Sequence, residues 1–130
     1  MTDPIADMLS RIQNGVNARQ DSIDMPHSGI KEKIAAILAS EGFVGKVEVM
    51  KRMEKKFIRI ALKFTPAKKG VISGFRRVSR PGGRVYTDAR SLPRVHAGFG
   101  TAVISTSSGL MTDEEARSKK LGGEVLFYVW

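Results

Sequence analysis

The stretch Ile104-Ser105-Thr106-Ser107-Ser108-Gly109-Leu110-Met111-Thr112-Asp113-Glu114-Glu115 passes from an apolar run, through a hydroxyl-rich break, into a charged segment. It reads as a strand, a turn and a helix start. Thr112 and Glu115 have the capping-box spacing, in which each side chain meets the other residue's backbone N–H, and Met111 before the cap can staple onto Ala116. Four hydroxyls and a glycine just ahead of a helix N-terminus would make a compact surface of donors and acceptors, where the positive dipole end favours phosphate or carboxylate. The competing reading is a turn whose serines hydrogen-bond only their own backbone.

Read outward from this stretch, the periodicities describe an α+β chain in two small parts. Asp3-Pro4 reads as cap and first helical position, and Ile5, Met8, Leu9, Ile12 and Val16 share one face of a helix over about 4–18. Arg11 and Asn14 lie off that stripe, facing a partner or solvent. After an extended piece around Ser22 to Met25, Pro26-His27-Ser28 offers a second cap, and Ile30, Ile34, Ile37 and Leu38 carry a helix over about 29–41. Val44, Val47 and Val49 suggest a strand, Lys51 to Lys56 a charged tip, and Phe57 to Phe64 a returning strand, a hairpin covered by the two helices. Lys55 and Lys56 at that tip read equally as a phosphate clamp or as charges that block edge aggregation. Thr65 to Gly70 has linker composition, which predicts domains at 1–66 and 67–130.

In the second part, Val71-Ile72 and Phe75 predict a strand. Arg80-Pro81-Gly82-Gly83-Arg84 is a turn signal between Val78 and Val85-Tyr86, predicting a second hairpin tipped with arginine. Tyr86 either stacks on a base or packs its ring under the sheet. A loop to Gly100, a strand over Ala102 to Thr106, a helix over 112–120 and the Gly122-Gly123 break follow. Val125 to Trp130 is nearly continuously apolar, the pattern of a central strand buried on both faces.

Composition narrows the function. The 130 residues hold 22 Lys+Arg against 13 Asp+Glu, a net charge of +9, which points to an anionic partner. From Lys68 to Arg94 there are eight basic side chains and one acid, Asp88. So one-signed a run repels itself unless a polyanion offsets it. There is no cysteine and there are two histidines, so neither a disulfide nor a thiolate metal site is available, and no cofactor is expected. Without a basic-then-apolar leader or an apolar run long enough for a bilayer, the chain reads as soluble and cytoplasmic.

Asp3-Pro4-Ile5-Ala6-Asp7-Met8-Leu9, Val78-Ser79-Arg80-Pro81-Gly82 with Tyr86, Ser105-Thr106-Ser107 through Gly109 to Met111-Thr112-Asp113, and Gly122-Gly123-Glu124 stand in this order along the chain. Together they resemble the family of bacterial small-ribosomal-subunit protein eight over the whole length. The resemblance implies two tightly associated α+β domains, the first with two helices on a short sheet, the second mostly antiparallel sheet with a short helix. It implies a structural protein that binds an irregular helix in the central domain of small-subunit rRNA and helps assemble it, beside neighbouring ribosomal proteins. It also implies, in some members, repression of the protein's own operon through a similar messenger-RNA element, a monomer outside the ribosome, and no membrane partner.

By the same resemblance, RNA contacts fall on Ser105, Thr106, Ser107, Tyr86, Gly122, Gly123 and Glu124, with Thr2, Asp3, Pro4, Arg11, Asn14, Lys31 and Lys55 from the first domain; Ser108 of the hydroxyl turn, Arg84 of the basic run and Lys56 of the charged tip join them as candidates on the reading of the residues alone. Gln13, Gly29 and Ser108 depart from a common pattern of basic residues, and each removes a possible phosphate contact. Two other classes compete. An enzyme would use Ser105 or Ser107 with His96 and Asp113, yet the stretch is no G-x-S-x-G elbow. A general basic nucleic-acid-binding architectural protein would rest on charge alone and tell RNA from DNA poorly.

Overall fold

A computed structural model describes residues 2–130. By contacts the chain divides into one unit over Pro4–Ile72 and a second over Ser73–Trp130 that also takes in Thr2 and Asp3. The architecture is mixed α+β, with antiparallel sheets.

The first unit is built on α1 (Pro4–Asn17), β1 (Ser22–Pro26), α2 (Gly29–Ser40), β2 (Val44–Arg52) and β3 (Lys55–Leu62). Ile5, Met8, Leu9, Ile12 and Val16 are buried along one stripe of α1, as their spacing requires. On α2, Ser28 caps the helix by accepting from the Lys31 N–H at 3.3 Å. Ile34, Ala35 and Leu38 are buried there, whereas Ile30 is 40% exposed and lies outside the core. The Ser22–Met25 piece is a true strand: β1 pairs with β3, giving a three-stranded sheet in the order β1-β3-β2 instead of a bare hairpin. Central β3 buries Ile58, Ile60 and Leu62. Val44 and Val47 stand three apart, out of step with a period of two, and the register shift between them is a bulge that restores the pleat.

The charged tip is narrower than its composition suggests. Lys51 and Arg52 belong to β2, and Lys55 and Lys56 to β3; Met53 and Glu54 alone turn the chain, both left-handed at φ 51° and 66°. Thr65 to Lys69 close on themselves, Thr65 N donating to Lys69 O at 2.7 Å, and Phe64 bridges to Gly70.

The second unit centres on β8 (Gly123–Val129), with β4 (Phe75–Arg77) and β5 (Tyr86–Thr87) along one edge, β6 (Thr101–Thr106) along the other, and β7 (Gly109–Thr112) beyond β6. Val125, Leu126, Phe127 and Val129 are buried. Ile104, Met111 and Val125 form a cluster with Ala116 of α3 (Asp113–Lys119). Phe127 meets Phe75 edge-on, ring centroids 6.0 Å apart.

Two expectations fail here. Val71-Ile72 lie outside any strand, which begins only at Phe75. The arginine-tipped hairpin does not exist either: Arg80 and Gly83 close a tight turn, but β4 and β5 both pair with β8 and not with each other. The turn signal was local, whereas the choice of strand partner was made by β8, far along the chain from both β4 and β5.

Candidate nucleic-acid interface

The stretch 104–115 contains one element more than strand, turn and helix. After the Ser107-Ser108 turn, Gly109–Thr112 returns as β7 against β6, with Thr106 opposite Gly109 and Ser105 opposite Leu110. The hydroxyl turn is therefore a hairpin tip, a strand's length away from the start of α3, and the helix dipole does not act at it. Thr112 does cap α3, accepting from the Glu115 N–H at 3.1 Å, while Glu115 meets the Thr112 hydroxyl at 3.4 Å in place of its N–H.

The four hydroxyls divide. Thr106 holds the turn: its Oγ1 donates to Gly109 O at 2.8 Å and accepts from Ser108 N at 3.1 Å, and Gly109 sits at φ 108°, where a side chain would be strained. The Ser105, Ser107 and Ser108 hydroxyls have no partner among the described residues, and Ser107 and Ser108 are exposed. The bland reading therefore holds for Thr106, while three hydroxyls stay open to an outside group.

Register carries the surface across the sheet. Tyr86 lies opposite Glu124, Glu124 opposite Ser105, and Ser105 opposite Leu110, so one row crosses β5, β8, β6 and β7. Directly opposed residues project to the same side, and alternation puts this row on the face away from Ile104 and α3. Tyr86 is 70% exposed and does not pack under the sheet.

A carboxylate in such a row would repel phosphate, but Glu124 is held. Buried Ser79 donates to its Oε2, Arg84 Nη1 lies 3.1 Å from the same oxygen, and Ser79 Oγ accepts from Val85 N at 3.2 Å. Ser79 fixes the carboxylate that fixes Arg84, yet nothing in its sequence neighbourhood marks it for this. Gly122 and Gly123 have a packing reason to lack side chains: a Cβ would come within 2.4 Å of Thr87 O and 2.1 Å of Ser105 O respectively. They let β5 and β6 close on β8 beneath the row.

In the first unit the residues form two groups. Arg11 and Asn14 are exposed on α1 and line a cleft of about 720 Å³ with Asp7, Gln20 and Asp24; Gln13 is bonded to Asn17 at 3.0 Å. Lys55 and Lys56 line a second cleft, of about 620 Å³, with Pro26, Arg52, Met53 and Phe57, and Lys31 Nζ reaches Pro26 O at 3.5 Å. Cross-strand pairing sets Lys51 against Lys56 and Arg52 against Lys55, like charges face to face, which is unfavourable; Glu54 in the turn offsets part of it, 3.1 Å from Lys51 Nζ. Gly29 opens α2 with nothing within 4 Å of where its Cβ would be. In the second unit Asp3 is paired with the mostly buried Arg77, at 3.1 and 3.3 Å, so this arginine is an internal tie and no part of the solvated basic face. Thr2 and Pro4 are exposed beside it in the chain.

The nucleophilic constellation does not assemble. Asp113 accepts from the Ala102 N–H at 3.0 Å and pairs with Arg117 at 3.4 Å, and the His96 ring lies 4.7 Å from that of Trp130.

A family model described as "Ribosomal protein S8" matches residues 3–130. Among curated relatives, small ribosomal subunit protein uS8 of Corynebacterium jeikeium and that of Caldanaerobacter subterraneus subsp. tengcongensis are each 53% identical over 130 residues, covering 100% of this chain and 98% of the relative. The protein of the same name from Halalkalibacterium halodurans is 50% identical with the same coverage.

Proposed function

The chain belongs to the ribosomal protein S8 family, and from that premise we propose that it holds a folded segment of small-subunit rRNA by reading its shape. As a member it is a structural constituent of the small ribosomal subunit and not an enzyme. The observation that carries the finer reading is the row Tyr86–Glu124–Ser105 beside a hairpin tip with unused serine hydroxyls. A-form RNA hides its base edges in a deep groove and offers 2′-hydroxyls in a shallow one, which short hydroxyl side chains can approach closely. Tyr86 adds an open ring for an unpaired base, and Arg84, aimed by Glu124, a phosphate contact. The cations at the β2–β3 tip supply attraction without selectivity. Lys31, Lys55, Lys56, Arg11 and Asn14 offer further contacts belonging to the first unit by itself, and a messenger-RNA element of like shape would use the same residues. Gly122 and Gly123 act by allowing close approach of strands.

Ser105→Ala with Ser107→Ala removes neither charge nor bulk. Binding to the matching rRNA helix should weaken by roughly 1–3 kcal/mol per hydrogen bond left unmade, while binding to a shuffled hairpin or duplex DNA stays constant in filter-binding assays. Thr112→Ala is the control, costing about 1 kcal/mol of folding stability with little change in selectivity. A double mutant that melts early yet binds the specific RNA as the parent does would make these hydroxyls structural.

A further inference from the structure

Phe99 is 91% exposed, the barest large apolar side chain among the described residues. Its position is enforced by the loop around it. Val95 is buried, Gly100 N donates to Val95 O at 2.9 Å, and Phe99 N donates to His96 O at 3.1 Å. A Cβ on Gly100 would stand 2.5 Å from Val95 Cγ1, so the Val95 side chain packs where a side chain at position 100 would have to go. Between them His96, Ala97 and Gly98 all take positive φ, at 48°, 54° and 94°, a left-handed run that residues with side chains avoid. The His96 ring rests near Trp130. Strain of this kind persists only where the surroundings over-determine it, and it concentrates at binding sites. Here its effect is to hold a phenyl ring out in water.

Charge selects the occupant. Arg90 and Arg94, exposed on the same segment, belong to no ion pair among the described residues. The acid nearest in sequence, Asp88, is engaged by the N–H groups of Arg90 and Ser91, at 3.0 and 2.8 Å. An apolar protein surface seated on Phe99 would leave Arg94 without a counter-charge. A nucleotide offers a flat apolar face and a phosphate together. We propose that Phe99 is a stacking platform for one unpaired base of single-stranded RNA, with Arg94 on a neighbouring phosphate, a contact separate from the row through Glu124. It extends the RNA-binding reading to a second loop, and its test uses a probe that has no helix to recognise.

The test measures binding of the full chain to a dye-labelled single-stranded oligoadenylate by anisotropy at low salt. Loss of one stacked base should weaken binding roughly tenfold or more in Phe99→Ala, while Phe99→Trp keeps parental affinity. Arg94→Ala should lower the salt slope by a little under one unit. Duplex RNA, with no free base face, should not distinguish Phe99→Ala from the parent. Equal oligoadenylate binding by Phe99→Ala and parent overturns the proposal. So does Phe99-dependent self-association in sedimentation, which would give the ring to a second copy of the chain. Because the probe is unstructured, failure of the Ser105/Ser107 test leaves this result standing, and the reverse also holds.

Discussion

Two hairpins of this chain use the same device for different ends. β2–β3 runs for nine and eight residues to a two-residue turn, and β6–β7 for six and four to another. The long hairpin ends in cations opposed to cations, the short one in neutral hydroxyls. Charge acts over roughly a Debye length, about 8–10 Å in ordinary salt, and cannot tell one phosphate chain from another. A hydroxyl acts only at hydrogen-bond distance, and so only on a surface that fits. Under the proposed reading, attraction and discrimination would sit on separate tips, which can be altered one at a time.

The strongest way to break the contrast is to remove what the short hairpin rests on. Phe127→Ala, at a fully buried side chain on β8, should cost about 3–5 kcal/mol. Hydrogen exchange should then show β6–β7 amides losing protection while β2–β3 keeps it. Equal loss in both would mean that the hairpins do not belong to separable folding units.

A smaller effect sharpens it. Lys56→Glu turns a like-charge cross-strand pair with Lys51 into an attractive one and should raise stability by roughly 0.2–1 kcal/mol. The same change should lower the salt slope of RNA binding by about one unit and leave the preference between RNAs alone. A variant that is both less stable and less selective would show that this tip reads shape after all.

The smallest effect is acid dependence confined to the first unit. Asp24 and Arg59 face each other across β1–β3 with two bonds, at 2.8 and 3.0 Å, and the Arg59 guanidinium holds the Asp24 carboxyl below its ordinary value. A depressed carboxylate stabilises the fold above its unfolded value and loses that contribution as pH falls through the folded one. Melting should therefore soften slightly below about pH 4, and Asp24→Asn should abolish that part of the dependence. Both groups are well exposed, so screening by salt should shrink the effect further.

Where pattern alone set the structure, the sequence was legible. The α1 stripe, the Ser28 cap and the apolar β8 follow from spacing and composition. β7 was not legible, because Leu110-Met111 is too short for an alternation and Thr112 ends the strand in the same step that it caps the helix. The β2–β3 turn hid among charges because Met53-Glu54 carries none of the Asn-Gly chemistry that left-handed turns favour. At the proposed interface, the hydroxyl cluster was visible in the sequence, but not that Thr106 is consumed by its own turn. Ser79 and the alignment of Tyr86, Glu124 and Ser105 depend on register between distant segments, which no local window contains.

That same dependence on β8 has a consequence for how the molecule is made. A chain leaving its synthesis site residue by residue completes β1, β2 and β3 by Leu62, so the first unit has every strand it needs early. Among the described residues β4 and β5 pair with β8 alone, and β8 follows both of them in the chain. During that interval the waiting segments expose unpaired edges, the condition in which nascent chains aggregate. Arg76, Arg80, Arg84, Arg90 and Arg94 are distributed along this same interval. The same positive charge that the proposed RNA contact would use would first, by mutual repulsion, keep newly made chains apart.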